Sequence, residues 1–100
     1  MSKVYAVIRI RGPEWKPGVI MDEQQDWKEH ADLMDKMVEE GVVLLGGPLR
    51  GTDDVLLIVR AESEAEIHAR FARDVWTKKG LLQTKWVREW WLRLGEQRVG

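Results

Sequence analysis

The sequence predicts an α+β domain in which an antiparallel four-stranded sheet carries two helices on one face. The prediction rests on the order of strand-like and helix-like segments, on a short Gly/Asp connection between two apolar runs, and on the lack of repeats or linkers. A chain of 100 residues has the size of one domain. We place that domain at residues 1–94 and expect residues 95–100 to form a short flexible tail.

The first half of the chain reads as strand, helix, strand. Lys3–Arg11 is rich in β-branched side chains and predicts the first strand, which a Gly-Pro pair ends. A loop of about ten residues then leads to the first helix, which we expect to begin near Asp22 or Asp26 and to end at Gly41. Val42–Leu45 is apolar throughout and predicts an interior strand.

The second half reads as strand, helix, strand. Val55–Val59 follows a short turn and predicts an antiparallel hairpin with the preceding strand. Ser63-Glu64-Ala65-Glu66 is a capping box that opens the second helix, and Asp74 lies at or just past the last turn of that helix. Leu82–Leu92 predicts the last strand. The β-α-β-β-α-β order is the ferredoxin-like arrangement.

Composition and charge argue against several classes of partner. A net charge of −1 gives no general attraction to nucleic acid or to a membrane surface, and no apolar run approaches the ~20 residues that span a bilayer. RNA-recognition domains share this strand order but need aromatic residues on the third strand, which has none. The chain lacks cysteine and a signal-peptide pattern, so we expect a cytoplasmic protein without disulfides or thiolate metal sites.

His30 and Asp74 are the candidate catalytic residues. In the predicted fold, the start of the first helix and the end of the second helix lie toward the same end of the sheet, so these side chains could meet. A histidine can take or give a proton near neutral pH, and a carboxylate on its other ring nitrogen fixes the tautomer. The alternative is that His30 is a hydrogen-bonded core histidine and that Asp74 is an ordinary helix-end residue.

Six tryptophans in one small domain indicate an aromatic-lined cavity, an aromatic interface, or both. We assign Trp15, Trp27 and Trp76 to the walls of a pocket around His30. Trp86 and Trp91 are assigned to core or subunit contacts. The second histidine, His68, lies at the border of the apolar face of its helix, and two histidines without a ligand-spacing motif do not predict a metal site.

The residues considered so far resemble the YCII-related family, whose members are small dimeric α+β barrel proteins of ferredoxin-like topology. The resemblance is carried by His30, by the run from Gly41 to Leu49, by the capping box, and by Asp74-Val75-Trp76 followed by Gly80-Leu81. It covers most of the chain. The family usually has proline where this chain has Val75.

This resemblance implies a homodimer with its open sheet faces packed together, and a His–Asp dyad formed by His30 and Asp74. It implies a cofactor-independent lyase or isomerase that transfers a proton on a small cyclic or aromatic-derived metabolite, similar to muconolactone isomerase-like and dehydrochlorinase-like proteins. No metal or organic cofactor is expected. The alternative is a non-catalytic, small-ligand-binding or regulatory dimer. The substrate-binding residues expected with the dyad are Trp15, Trp27, Gly47, Pro48 and Trp76.

Overall fold

The computed structural model describes residues 2–95. Within this range the chain forms four strands, with the spatial order β2-β3-β1-β4 and antiparallel pairing throughout. The α+β, ferredoxin-like prediction is therefore confirmed. The predicted tail, residues 95–100, lies outside the described residues except for Gly95. The elements are β1 (Lys3–Arg11), α1 (Trp27–Glu39), β2 (Val43–Pro48), β3 (Asp54–Ala61), α2 (Glu64–Phe71), α3 (Val75–Lys79) and β4 (Leu82–Glu89).

One face of the sheet is covered by helices. Side chains alternate along a strand, so Tyr5, Val7 and Arg9 of β1 point to the helical layer while Ala6 and Ile8 point away from it. Tyr5 and Val7 belong to the main apolar core, which also contains buried residues from β2, β3 and β4 and from the helices, among them Met37, Val43, Val59, Ile67, Phe71 and Val87. No helix among the described residues has the length and apolar character needed to cross a membrane.

A second apolar cluster lies at the end of the domain where β1 finishes. It consists of Trp15, Val75, Trp76, Leu81 and Leu82. The loop after β1 is tied to the end of α3 by backbone hydrogen bonds, one of which runs from the amide of residue 12 to the carbonyl of Leu81 at 2.7 Å. The loop that carries Trp15 is therefore held against α3.

The first helix begins later than one of its two predicted starts. Asp22 lies in a short 3-10 turn, Met21–Glu23, and α1 begins at Trp27. Asp26 occupies the N-cap position in a left-handed conformation, with φ 60°, and makes no side-chain cap bond. Its carboxylate instead accepts a hydrogen bond from Lys79 at 2.7 Å, which links α1 to the last turn of α3.

The second helix ends near its predicted end, but a further short helix that the sequence did not predict follows it. Ser63 caps α2 as expected, accepting a hydrogen bond from the amide of Glu66 at 3.2 Å. However, α2 ends at Phe71, and Asp74 caps a separate helix, α3. Asp74 therefore lies just past the last turn of α2, as predicted, and is also the N-cap of α3, which was not predicted.

The prediction that Val42–Leu45 forms an interior strand is wrong. Strand β2 lies at the edge of the sheet and continues to Pro48. Its apolar run faces both sides of the sheet: Val43 packs in the core, while Leu45 is 71% exposed on the face without helices. A continuous apolar run thus indicates burial on both faces only if something covers the second face. Strand β4 ends at Glu89, before the predicted Leu92.

Candidate active site

Asp74 is held by the break between α2 and α3. Its backbone is extended, with φ −70° and ψ 128°, and its Oδ1 accepts a hydrogen bond from the amide of Trp76 at 3.0 Å. Aspartate is a preferred N-cap residue because its carboxylate satisfies amides at the start of a helix. The side chain is fully buried, so it is available only to groups inside the domain.

His30 lies in the first turn of α1 and is the partner of this carboxylate. Its Nδ1 lies 2.8 Å from Oδ2 and 3.0 Å from Oδ1 of Asp74. The imidazole is 7% exposed. The packing of α1 beside α3 therefore brings together two side chains that are 44 positions apart in the sequence.

Tryptophan rings hold the imidazole in place. The ring of Trp76 stacks on His30, with centroids 3.8 Å apart and planes 10° apart, and Trp27 lies at 5.9 Å from His30 on a tilted plane. Trp15 packs edge-on against Trp76 at 5.4 Å. The indole nitrogen of Trp76 donates to the backbone carbonyl of Gln25. The stacked layer limits rotation of the imidazole away from Asp74.

A third charged residue, Arg9, completes the buried cluster. It is 1% exposed, and its Nη1 lies 3.3 Å from Oδ2 of Asp74. Its Nη2 donates to Oγ1 of Thr77 at 2.6 Å and to the carbonyl of Leu82 at 3.3 Å, and its guanidinium lies 4.9 Å from the centre of the Phe71 ring. Asp74 therefore receives hydrogen bonds from β1, α1 and α3 at once.

These contacts decide the charge state of the cluster. Burial by itself raises the pKa of Asp74, but the hydrogen bond and charge of His30, the amide of Trp76 and the charge of Arg9 together outweigh it, so the pKa of Asp74 lies below its ordinary value. Burial lowers the pKa of Arg9, while the neighbouring Asp74 opposes that change. Arginine nevertheless keeps its proton in proteins. The pair is thus a buried carboxylate beside a buried guanidinium.

A cavity of about 320 Å³ opens beside the cluster, between α1 and the sheet. Such a volume is at the small end of the range for small-molecule sites. Among the described residues, Arg9, His30 and Asp35 are the ionisable ones in its wall, and Asp35 is exposed on α1. The apolar part of the wall includes Met21, Trp27, Met34, Val43, Val55 and Leu57.

The sequence-predicted site residues fall into two groups. Trp27, Gly47 and Pro48 line the cavity together with His30. Trp15 and Trp76 do not line it: both are buried, and they form the layer behind the imidazole. The structure therefore gives these two tryptophans contacts that support His30 rather than contacts with the cavity.

Sequence reasoning missed Arg9. A signal was present, because strand alternation places Arg9 on the same side as Tyr5 and Val7, and an arginine at an inward position of an apolar strand must be paired or functional. His68, by contrast, is exposed and lies 4.0 Å from Glu64 on the same helix. Within residues 2–95, no three histidine, cysteine or carboxylate side chains are grouped so that they could hold a metal ion.

Comparison with known families identifies the family of the chain. The sequence model of the YCII-related domain matches residues 5–91. The chain belongs to the YCII-related family. The match spans every strand and helix described above except the first two residues of β1, and it includes the His30, Asp74 and Arg9 positions of this YCII-related domain. No curated protein and no solved structure was found to match the chain.

Proposed function

We propose that this YCII-related domain is a small enzyme of the lyase or isomerase type, in which His30 transfers a proton on a small ring compound bound in the cavity. One observation carries the proposal. The buried Asp74 engages Nδ1 of His30, and Nε2 has no partner among the described residues while His30 lines an apolar cavity. Each group with a role in this proposed reaction is a side chain of the domain.

The chemistry follows from the hydrogen bond. An ionised Asp74 can only accept a hydrogen bond, so Nδ1 of His30 carries the hydrogen and the neutral imidazole has its lone pair on Nε2. That nitrogen can remove a proton from a C–H bond next to a carbonyl, with the electron pair of the broken bond passing to the carbonyl oxygen as an enolate. Return of the proton to another carbon gives an isomer, and loss of a leaving group from the neighbouring carbon gives an elimination. Asp74 stabilises the imidazolium formed between the two steps.

Hydrogen–deuterium exchange tests this without knowledge of the natural substrate. The protein would be incubated in D₂O with small cyclic ketones and unsaturated lactones, and loss of the C–H proton signals would be followed by NMR. We expect catalysed exchange in at least one compound, and we expect His30→Gln to reduce its rate by ~10²–10⁴.

The control is the other histidine of the chain. His68→Gln removes an exposed imidazole of α2 and should leave the exchange rate unchanged. Unreduced exchange in a His30→Gln protein with a native circular dichroism spectrum would contradict the proposal. Binding of such compounds without exchange in any of them would favour the non-catalytic, ligand-binding alternative.

We also propose that the active form is a homodimer in which two sheets pack face to face. On the face without helices, β2 and β3 present mainly apolar side chains, β4 places Trp86 and Arg88 there, and the segment after β4 lies along it. A groove of about 750 Å³ on this face is lined by residues of β2, β3 and that segment, including Leu45, Leu56, Ile58, Trp90 and Leu92. A patch of this kind on a chain with a net charge of −1 suits a second copy, because the copies do not repel each other strongly.

The absence of cysteine suits a cytoplasmic location.

A further inference from the structure

Arg9 makes fewer hydrogen bonds than its burial requires. A guanidinium has five N–H donors, and within residues 2–95 three of them are used, by Asp74, Thr77 and the carbonyl of Leu82. The Nε–H has no partner. In the described part of the chain, Nε of Arg9 is the buried side-chain nitrogen or oxygen that lacks a hydrogen bond. An unsatisfied buried donor is unfavourable because it has lost its hydrogen bonds to water, so such a group in a native structure calls for an explanation.

The position of Arg9 beside the cavity offers an explanation for this unpaired N–H. Its side chain lines the same cavity as His30, and both contact Asp74. A buried arginine beside a cavity is suited to a carboxylate, because a hydrogen bond from a charged guanidinium to a carboxylate is stronger than one between neutral groups. The remaining ionisable residue of the wall, Asp35, is exposed on α1, where water and salt screen its charge.

The charge balance of the cluster is compatible with an anion. Arg9 and Asp74 neutralise each other, and the rest of the wall is largely apolar. Asp74 already engages one Nη1 hydrogen, while the Nε–H is left over. A carboxylate that accepted this hydrogen would supply the missing acceptor and would place the rest of an apolar ligand beside the imidazole.

We propose that Arg9 is a ligand-binding residue and that the cavity takes small, otherwise apolar ring compounds that carry a carboxylate, with a carboxylate oxygen accepting the Nε–H of Arg9. The inference rests on the proposed function for its site and narrows the substrate class. It assigns the two buried ionisable residues of the cavity wall to different parts of the ligand: Arg9 to the carboxylate and His30 to the carbon that loses or gains the proton.

A matched pair of probes tests the inference on the native protein. 2-Naphthoate and 2-naphthamide have nearly the same shape, but only the first is an anion. Their dissociation constants would be measured from protein NMR shifts. We expect the acid to bind roughly tenfold more tightly or better, as a charge-assisted hydrogen bond provides. The Arg9 Nε–H resonance should move much further with naphthoate than with naphthamide, because the neutral amide oxygen is a weaker acceptor than a carboxylate oxygen.

Two residues of the same strand provide the variants. Arg9→Lys keeps a positive charge beside Asp74 but removes the Nε–H, and it should lose most of the preference for the acid. Arg11→Lys is the matched control, because Arg11 is exposed, pairs with Asp53 and does not line the cavity. It should keep the full preference. The Nε–H measurement requires no variant protein, so a folding defect in Arg9→Lys does not remove the test.

Failure of this inference can be told apart from failure of the proposed enzyme. Equal affinities for the two probes, no binding of the acid at millimolar concentration, an unmoved Nε–H resonance, or an equal loss in Arg11→Lys would overturn the carboxylate assignment. The deuterium exchange assay tests His30 separately. His30→Gln should retain the preference for naphthoate, because Nε of Arg9 does not contact the imidazole, whereas loss of that preference in His30→Gln would contradict the division of roles.

Discussion

Asp74 is the residue on which the buried polar cluster depends. Its carboxylate contacts Nδ1 of His30, Nη1 of Arg9 and the amide of Trp76, and it is fully buried. Removing one partner of a buried charge pair leaves the other charge uncompensated in a medium of low dielectric, which costs about 3–5 kcal/mol. Asp74 is therefore expected to contribute to stability and to the orientation of His30 at the same time.

The stability of the protein is expected to depend on pH through Asp74. The folded pKa of Asp74 lies below the ordinary value of 3.8, so the unfolded state binds the proton more tightly. The stability that Asp74 contributes is fully present above the ordinary pKa and is lost as the pH falls through the lower, folded pKa. We expect the free energy of unfolding to fall below about pH 4, and we expect Asp74→Asn to be less stable at neutral pH but to lack this part of the acid-dependent loss. Urea titrations between pH 2.5 and pH 7 would measure both.

The chain provides an exposed counterpart of the same pair. Arg11 and Asp53 form an ion pair at 3.1 Å at the end of β1, with side chains 40% and 68% exposed. Exposed pairs contribute about 0–1 kcal/mol, so Asp53→Asn should change neutral stability by no more than that. Equal losses in Asp53→Asn and Asp74→Asn would contradict the importance given to the buried cluster.

The sequence could predict one part of the site, the pair of His30 and Asp74, but not the contacts of Arg9. His30 and Asp74 can be brought together by counting strands and helices, because each is fixed to one end of an element. Arg9 and Arg11 look alike in the sequence, since both are odd-numbered residues of β1. Only the structure shows that Arg9 contacts Thr77 and Leu82. Thr77 belongs to α3, a helix that the sequence did not predict.

At the scale of elements, the separate helix α3 is the main feature that sequence reasoning missed. From Glu64 to Lys79 the chain contains no glycine or proline, so nothing in the local pattern ends the helix at Phe71. The break is visible only through Asp74, whose short carboxylate competes for backbone amides and so favours a cap over a helix interior. Burial of that carboxylate against Arg9 and His30 gives the cap its tertiary support.

The Val75 position tests the role of this cap. Val75 is the first residue of α3, where proline is favoured because its fixed φ suits the helix and its missing N–H has no helical partner. The extended backbone of Asp74 is compatible with a following proline. We expect Val75→Pro to be tolerated, with about 0.4–1 kcal/mol of stabilisation from the unfolded state set against the loss of the buried valine packing. Thermal unfolding would measure the net change.

The matched substitution lies three residues further along the same helix. The amide of Lys78 donates to the carbonyl of Asp74 at 3.0 Å, so Lys78→Pro removes a helical hydrogen bond and should destabilise the protein by about 3 kcal/mol. If Val75→Pro destabilised the protein as strongly as Lys78→Pro, the description of Asp74 as the cap of a separate helix would be wrong.

At the scale of the whole molecule, the two faces of the sheet have different tasks. The face under the helices carries the buried charges and the cavity, while the other face presents large apolar side chains such as Trp86 and Trp90 and the exposed Leu45. The apolar run of β2 misled the strand prediction for this reason. An edge strand that is apolar on both sides has the sequence of an interior strand. The apolar pattern of β2 is consistent with its edge position if a second copy of the chain covers the open face.

A second copy of the chain is expected to cover the open face of the sheet. We expect the protein to sediment as a dimer at micromolar concentration, because stable interfaces bury about 1,200–2,000 Å² and the open face carries a large apolar groove formed by β2, β3 and the segment after β4. Leu45→Asp places a charge at a position that is 71% exposed in one subunit, so it should leave the subunit folded while shifting the protein to a monomer. Ile20→Asp is the control, since Ile20 is 64% exposed but lies in the loop before α1. Analytical ultracentrifugation at several concentrations measures the outcome. A wild-type monomer at high concentration, or the same dissociation in Leu45→Asp and Ile20→Asp, would exclude face-to-face packing of the sheets.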